Sequence, residues 1–138
     1  MEPVFVFVYG TLKRGYGNNR LLQHSSSFVG EAVTCEPFKM VGNGFPYINR
    51  ANDCVLPVLG EVWKVVDEDT LQRLDWLEGV ASRHYIRSII DVQLIDGYTL
   101  TVNTYLSGHS LEEYEFDGRL IYIDEKGNRM FRWERWNG

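Results

Sequence analysis

Glu78 stands in "RLDWLEGV", at the C-terminal end of a segment patterned as a helix. A carboxylate there meets the negative end of the helix dipole, and Asp75 lies about one turn away with like charge. Trp76, Leu77 and Val80 flank it and would keep water away. All three influences push a carboxylic acid's pKa upward, towards the range of a general acid/base. The plain structural alternative is an exposed Glu that tolerates a small penalty, and helix position leaves both readings open. Asp75 suits a supporting role at the helix end, through a backbone amide or a basic side chain, better than proton transfer.

A second candidate locus follows the opening strand, in "YGTLKRGYG", where Gly10, Gly15 and Gly17 break the pattern. Glycines let backbone N–H groups turn inward, and such a concavity holds a carboxylate or phosphate without a dedicated side chain. Lys13 and Arg14 either add charge to that concavity or are solvated loop residues. The segment is not a P-loop, because its lysine precedes the second glycine and no Ser or Thr follows. Nor does it carry GxGxxG. A tight connection without a ligand is the competing reading, and it too stays open.

What is missing narrows the chemistry. Ser25 to Ser27 follow His24, but no GxSxG elbow surrounds them. Cys35 and Cys54 stand alone and read as small core residues of a reducing compartment, with a disulfide left open by spacing. His24, His84 and His109 are scattered, so no metal-ligand grouping is expected and no cofactor is called for. An enzyme built this way must work with few groups, as a substrate carrying its own nucleophile would allow. The formal charge of -5, from 14 basic and 19 acidic side chains, argues against a nucleic-acid partner. Val4 to Val8 is too short for a signal segment and follows Glu2 rather than a basic stretch. No run approaches membrane-spanning length, so a soluble, cytoplasmic protein is expected.

Those candidate residues must be positioned by a mixed set of elements. "VFVFVY" reads as a strand covered on both faces. A short helix around "NNRLLQH" is expected, capped by Asn18 or Asn19. Two short strands interrupted at Pro37 lie between Phe28 and Val41, and "GNGFPYINR" is a loop. "LPVLGEVWKV" returns to strand character, with Leu59, Glu61, Trp63 and Val65 on one face. The strongest helix is "DEDTLQRLDWLEG", capped by Asp67, striped by Leu71, Leu74 and Leu77, and stopped at Gly79. A hairpin turning at Asp96-Gly97 follows, and "RLIYI" with "RMFRW" forms a last strand pair. With no repeat or linker, residues 1–138 are expected to form a single domain. Its predicted class is α+β, with the sheet curling into a small barrel.

The ordered series "YGTLKRG", "GEVWKV", "LDWLEG" and "YIR" with its hairpin resembles the γ-glutamylcyclotransferase-like (AIG2-like) family over roughly residues 4 to 106. The likeness is greater to its γ-glutamylamine cyclotransferase branch. The resemblance implies a small mixed β-barrel with helices packed outside. It implies conversion of a γ-glutamyl amine or γ-glutamyl amino acid to 5-oxoproline plus free amine, without cofactor or metal. It places the catalytic carboxyl at Glu78 and the substrate's α-carboxylate at Tyr9, Gly10, Thr11 and Leu12. Tyr85 and Tyr105 match pocket tyrosines, and each equally suits a barrel core position with its hydroxyl on one partner. Beyond Leu106, "FRWERWNG" reads as a barrel-edge cover, a pocket rim or an association surface. A non-catalytic small-anion or nucleotide-binding module, or a protein-interaction domain, is the alternative use of the same fold.

Overall fold

The computed structural model describes residues 1–42, 44–115 and 117–134. Nine strands and two α-helices appear among them: β1 (Val4–Val8), α1 (Arg20–Gln23), β2 (Ser26–Thr34), β3 (Lys39–Val41), β4 (Tyr47–Asn49), β5 (Leu59–Val65), α2 (Glu68–Leu77), β6 (Tyr85–Leu94), β7 (Thr99–Ser107), β8 (Ile121–Ile123) and β9 (Arg129–Phe131). Five strands close into a barrel in the order β1-β5-β2-β6-β7, sealed by a parallel contact at Val6 and Asn103. The pairs β3–β4 and β8–β9 flank it. The expected α+β barrel with outer helices is the architecture found.

Alternation along β1 divides the interior. Phe7 and Tyr9 join one apolar cluster with Val62, Val92, Val102, Leu106, Phe131 and Trp133. Val6 and Val8 point the other way, to Trp63, Val65, Leu22 and the α2 residues Leu71 and Leu74. β1 is therefore covered on both faces, as its unbroken apolar run requires. β2 shifts register against β5 between Phe28 and Gly30, a bulge of the kind that bends a strand around a barrel.

Helix α2 follows its sequence signals closely. Asp67 caps it, its side chain accepting from the Thr70 backbone N–H at 3.1 Å and from the Thr70 hydroxyl at 2.8 Å. Gly79 ends it with φ of +64°, a conformation that suits glycine. Asp69 and Arg73 pair at 3.0 Å on the exposed side. The hairpin between β6 and β7 turns at Asp96-Gly97, where Gly97 has φ of +104°.

Four expectations need correction. The segment "GNGFPYINR", read as a loop, contains strand β4 over Tyr47–Asn49, which pairs antiparallel with β3. Asn19 occupies the N-cap of α1, yet its side chain makes no cap; its amide instead donates to the Leu12 carbonyl at 2.7 Å. That carbonyl belongs to the glycine loop, so Asn19 holds the loop rather than the helix. Cys35 and Cys54 are free and exposed, not core residues. Trp76 is 84% exposed. It lies two residues from buried Leu74, about 200° around the helix, so the leucine stripe that buries one face turns Trp76 to solvent. In the C-terminal segment, Trp133 is fully buried in the barrel cluster, while Arg135 and Trp136 lie outside the described residues.

Candidate active site

The end of β1, the end of α2 and the β3–β4 region converge on one cleft with a cavity volume of about 200 Å³. The loop Tyr9–Leu12 forms one wall, Glu78 and Gly79 another, and Phe45, Pro46 and Tyr47 a third. Tyr85 and Tyr105 complete it from β6 and β7. Glu78 and the loop after the first strand, 66 residues apart at Leu12, thus face the same space. All seven site residues read from the sequence line this cleft.

Glu78 caps α2, with its backbone N–H on the Leu74 carbonyl at 2.9 Å. Its carboxyl is pushed up to about 7 by burial. Among the described residues it accepts no hydrogen bond, so no protein donor offsets the loss of water. The like charge of Asp75 is not the cause. Asp75 accepts from the Tyr105 hydroxyl at 2.7 Å and pairs with Arg87 at 3.3 Å, which neutralises it and ties the end of α2 to the barrel. Trp76, turned to solvent, is not a shield either. Asp75 thus has the supporting role its position suggested.

The loop opposite supplies donors without acceptors. Lys13 N–H closes a turn onto the Gly10 carbonyl at 3.0 Å. Among the described residues, the N–H groups of Gly10, Thr11 and Leu12 meet no acceptor, although Thr11 and Leu12 are buried. Buried backbone donors are seldom left unpaired, so a loop carrying these three beside a cleft can receive an anion. The loop approaches closely enough that a Cβ on Gly10 would sit 2.8 Å from Pro46 Cγ. Asn18 braces it, donating to Thr11 Oγ1 at 2.8 Å.

Lys13 and Arg14 do not add charge to the cleft. Lys13 is buried and sends its ammonium to the Trp133 carbonyl at 2.7 Å. Arg14 turns to buried Glu61, donating through its backbone N–H at 2.9 Å and its Nε at 3.2 Å, and lies over the Phe28 ring. The tyrosines are likewise engaged. Tyr9 donates to the Tyr105 carbonyl and Tyr85 to the Pro46 carbonyl at 2.7 Å, while burial raises the pKa of Tyr9, Tyr85 and Tyr105. Each hydroxyl therefore holds the wall with its proton and keeps only acceptor capacity for a ligand.

Sequence reasoning passed over Asn18, Phe45, Tyr47 and His84 as wall residues. Tyr47 stacks on Tyr85 with ring centroids 4.7 Å apart and 10° between planes. The aromatic and proline content of "GNGFPYINR" was the available signal. Among the described residues, no group of three or more His, Cys, Asp or Glu is placed to hold a metal ion.

A barrel of this order, with a desolvated carboxyl facing a glycine loop, can be compared with known proteins. The model of the family described as gamma-glutamyl cyclotransferase, AIG2-like, matches residues 6–128. The chain belongs to that family. A Methanocaldococcus jannaschii protein provisionally named a gamma-glutamylcyclotransferase is 38% identical over 93 residues, 67% of this chain and 75% of its own. A Danio rerio gamma-glutamylaminecyclotransferase B is 35% identical over 99 residues, but the match spans only 67% of this chain and 51% of the fish protein. The crystal structure of an AIG2-like protein from Mus musculus superposes with a TM-score of 0.64 at 24% identity, covering 100% of this chain and 99% of that one. This last likeness concerns the AIG2-like fold. Within the family match fall both "YGTL" and Glu78, whereas Trp133 lies beyond it.

Proposed function

We propose that this protein is a γ-glutamylcyclotransferase of the γ-glutamylamine type, releasing an amine and 5-oxoproline from a γ-glutamyl amine. The observation that carries the reading is a desolvated Glu78 and three amides, all without hydrogen-bond partners among the described residues, across one small cleft. An α-amino acid head group needs both: amides for its carboxylate and a carboxylate for its ammonium.

The α-carboxylate of the substrate is held at Gly10, Thr11 and Leu12. Its α-ammonium pairs with the Glu78 carboxylate, which accepts one proton. The freed amine attacks the substrate's own δ-carbonyl carbon, forming the ring C–N bond. Protonated Glu78 then gives its proton to the departing nitrogen as the original amide C–N bond breaks. The attack leaves two hydrogens on the ring nitrogen; one passes to the Glu78 carboxylate and on to the released amine, so the products are the lactam N–H and an ammonium, and Glu78 ends as the carboxylate it began as. Holding the two reacting atoms within one folded substrate supplies the proximity that makes an external nucleophile unnecessary. A carboxyl near neutrality accepts and returns a proton at similar cost, which a carboxyl at its solution value does not.

The leaving-group side favours an amine over an amino acid. Among the described residues, the cleft is lined by no Lys or Arg, so a carboxylate on the leaving group would meet no permanent cation there. Phe45, Tyr47 and Tyr85 offer apolar and aromatic surface suited to an alkyl chain. The test is to incubate purified protein with γ-glutamyl alkylamines, ε-linked γ-glutamyl-lysine and γ-glutamyl dipeptides and to measure 5-oxoproline. Faster release from the amines is expected. Retention of intact ligand across the panel, with no product, would replace the enzyme by a binding module.

A further inference from the structure

Lys13 presents a feature that the proposed chemistry does not use. Its side chain leaves the substrate loop, is 9% exposed, and ends on the backbone carbonyl of Trp133, 120 residues away. The same residue's N–H closes the turn onto Gly10, the turn that contains Thr11 and Leu12. One residue therefore joins the loop's unsatisfied amides to the C-terminal segment.

That segment is firmly seated. Phe131 N–H donates to the Pro57 carbonyl at 2.8 Å, and Arg132 N–H donates to the Leu120 carbonyl at 2.8 Å. Trp133 is fully buried, with its ring 5.1 Å from Tyr16, which follows the loop. A buried ammonium is costly unless it gives strong hydrogen bonds, and a solvated lysine here would have avoided that cost. Fixing the loop is what this burial accomplishes. Glu61 of β5 holds the neighbouring Arg14, so the loop is held at two successive residues.

We propose that Lys13 is a positioning residue, and that the C-terminal segment ending at Trp133 is a working part of the substrate site because Lys13 ties the loop's amides to it. The inference rests on the reading that these amides hold the substrate's α-carboxylate. It assigns a role in binding to a segment beyond residue 128, where the family match stops.

The test titrates 5-oxoproline into wild type, Lys13→Met and Val92→Ala while the amide signals of Gly10, Thr11 and Leu12 are followed by NMR, with KM and kcat measured in parallel. Lys13→Met keeps the stem but removes the donor. Val92→Ala empties a fully buried barrel position away from the cleft. Lys13→Met should weaken 5-oxoproline binding and raise KM by about tenfold, the scale of one charge-assisted hydrogen bond, with little change in kcat. Val92→Ala should lower the melting temperature yet bind within about twofold of wild type, since the Lys13 bond remains. Such a split separates positioning from general support of the fold. Wild-type binding in Lys13→Met would overturn the inference while leaving the proposed function standing. Wild-type protein whose three amides do not respond to 5-oxoproline would overturn the amide cradle and the inference together.

Discussion

Replacing Glu78 with glutamine should stabilise the fold above neutral pH, as well as remove its proton chemistry. In the unfolded chain the carboxyl titrates at its ordinary 4.5, and in the fold at about 7 because burial disfavours its charge. Between those values the folded state holds more protons than the unfolded one, so stability falls as pH rises. The stabilisation is fully present below 4.5 and is lost as pH passes through about 7. Linkage at about 1.4 kcal/mol per pH unit sets the gross cost of the charged form at about 3 kcal/mol, and partial contact with solvent reduces it to about 2 kcal/mol. Glutamine matches the protonated acid in shape and does not titrate. The assay is urea denaturation followed by tryptophan fluorescence, for both proteins, between about pH 4.5 and pH 8. The stability of Glu78→Gln relative to wild type should rise by about 2 kcal/mol across that range. A difference that stays flat, or moves the other way, would mean that Glu78 is not desolvated and would refute the electrostatic account of the site.

Other perturbations probe the walls. Gly10→Ala places a methyl group 2.8 Å from Pro46 Cγ, so the loop or Pro46 must move; KM should rise by at least about tenfold with a smaller loss of stability, read by kinetics and thermal melting. Tyr105→Phe removes the 2.7 Å bond to Asp75 while Arg87 remains as partner; equilibrium denaturation should register a loss of about 1–2 kcal/mol, with lower kcat because the end of α2 loosens. Leu74→Ala empties a fully buried position beneath the same helix end, and should cost about 2–5 kcal/mol in denaturation.

Where a feature is set by neighbours in sequence, it was legible before any coordinates. Asp67, the leucine stripe and Gly79 delimit α2 because capping, periodicity and a positive φ are local matters. The Asp96-Gly97 turn is of the same kind. Glu78 could be singled out by its place at the helix end, and shielding from water is the influence read there that the fold bears out, whereas Asp75 and Trp76 have no part in it. Trp76 faces water because the stripe fixes the buried face, and Asp75 is neutralised by Arg87 and Tyr105 from other strands. Lys13 was harder still: its partner is a carbonyl far along the chain, and a backbone oxygen leaves no mark in residue identity. Glycine spacing suggested an anion loop, yet only the fold could distinguish unsatisfied amides from those of an ordinary turn. Phe45 joins the site from the turn before β4 and Tyr47 from the first position of β4, a strand whose pairing with β3 the Gly42 and Pro46 signals do not reveal.

Central to the account is that one carboxyl moves the proton while the substrate closes on itself. The most direct measurement is the rate of 5-oxoproline formation by Glu78→Gln, at saturating γ-glutamyl amine and near neutral pH, alongside a folded-state check. The account predicts at least about a hundredfold loss of kcat in a protein that remains folded. Turnover near the wild-type rate would contradict it.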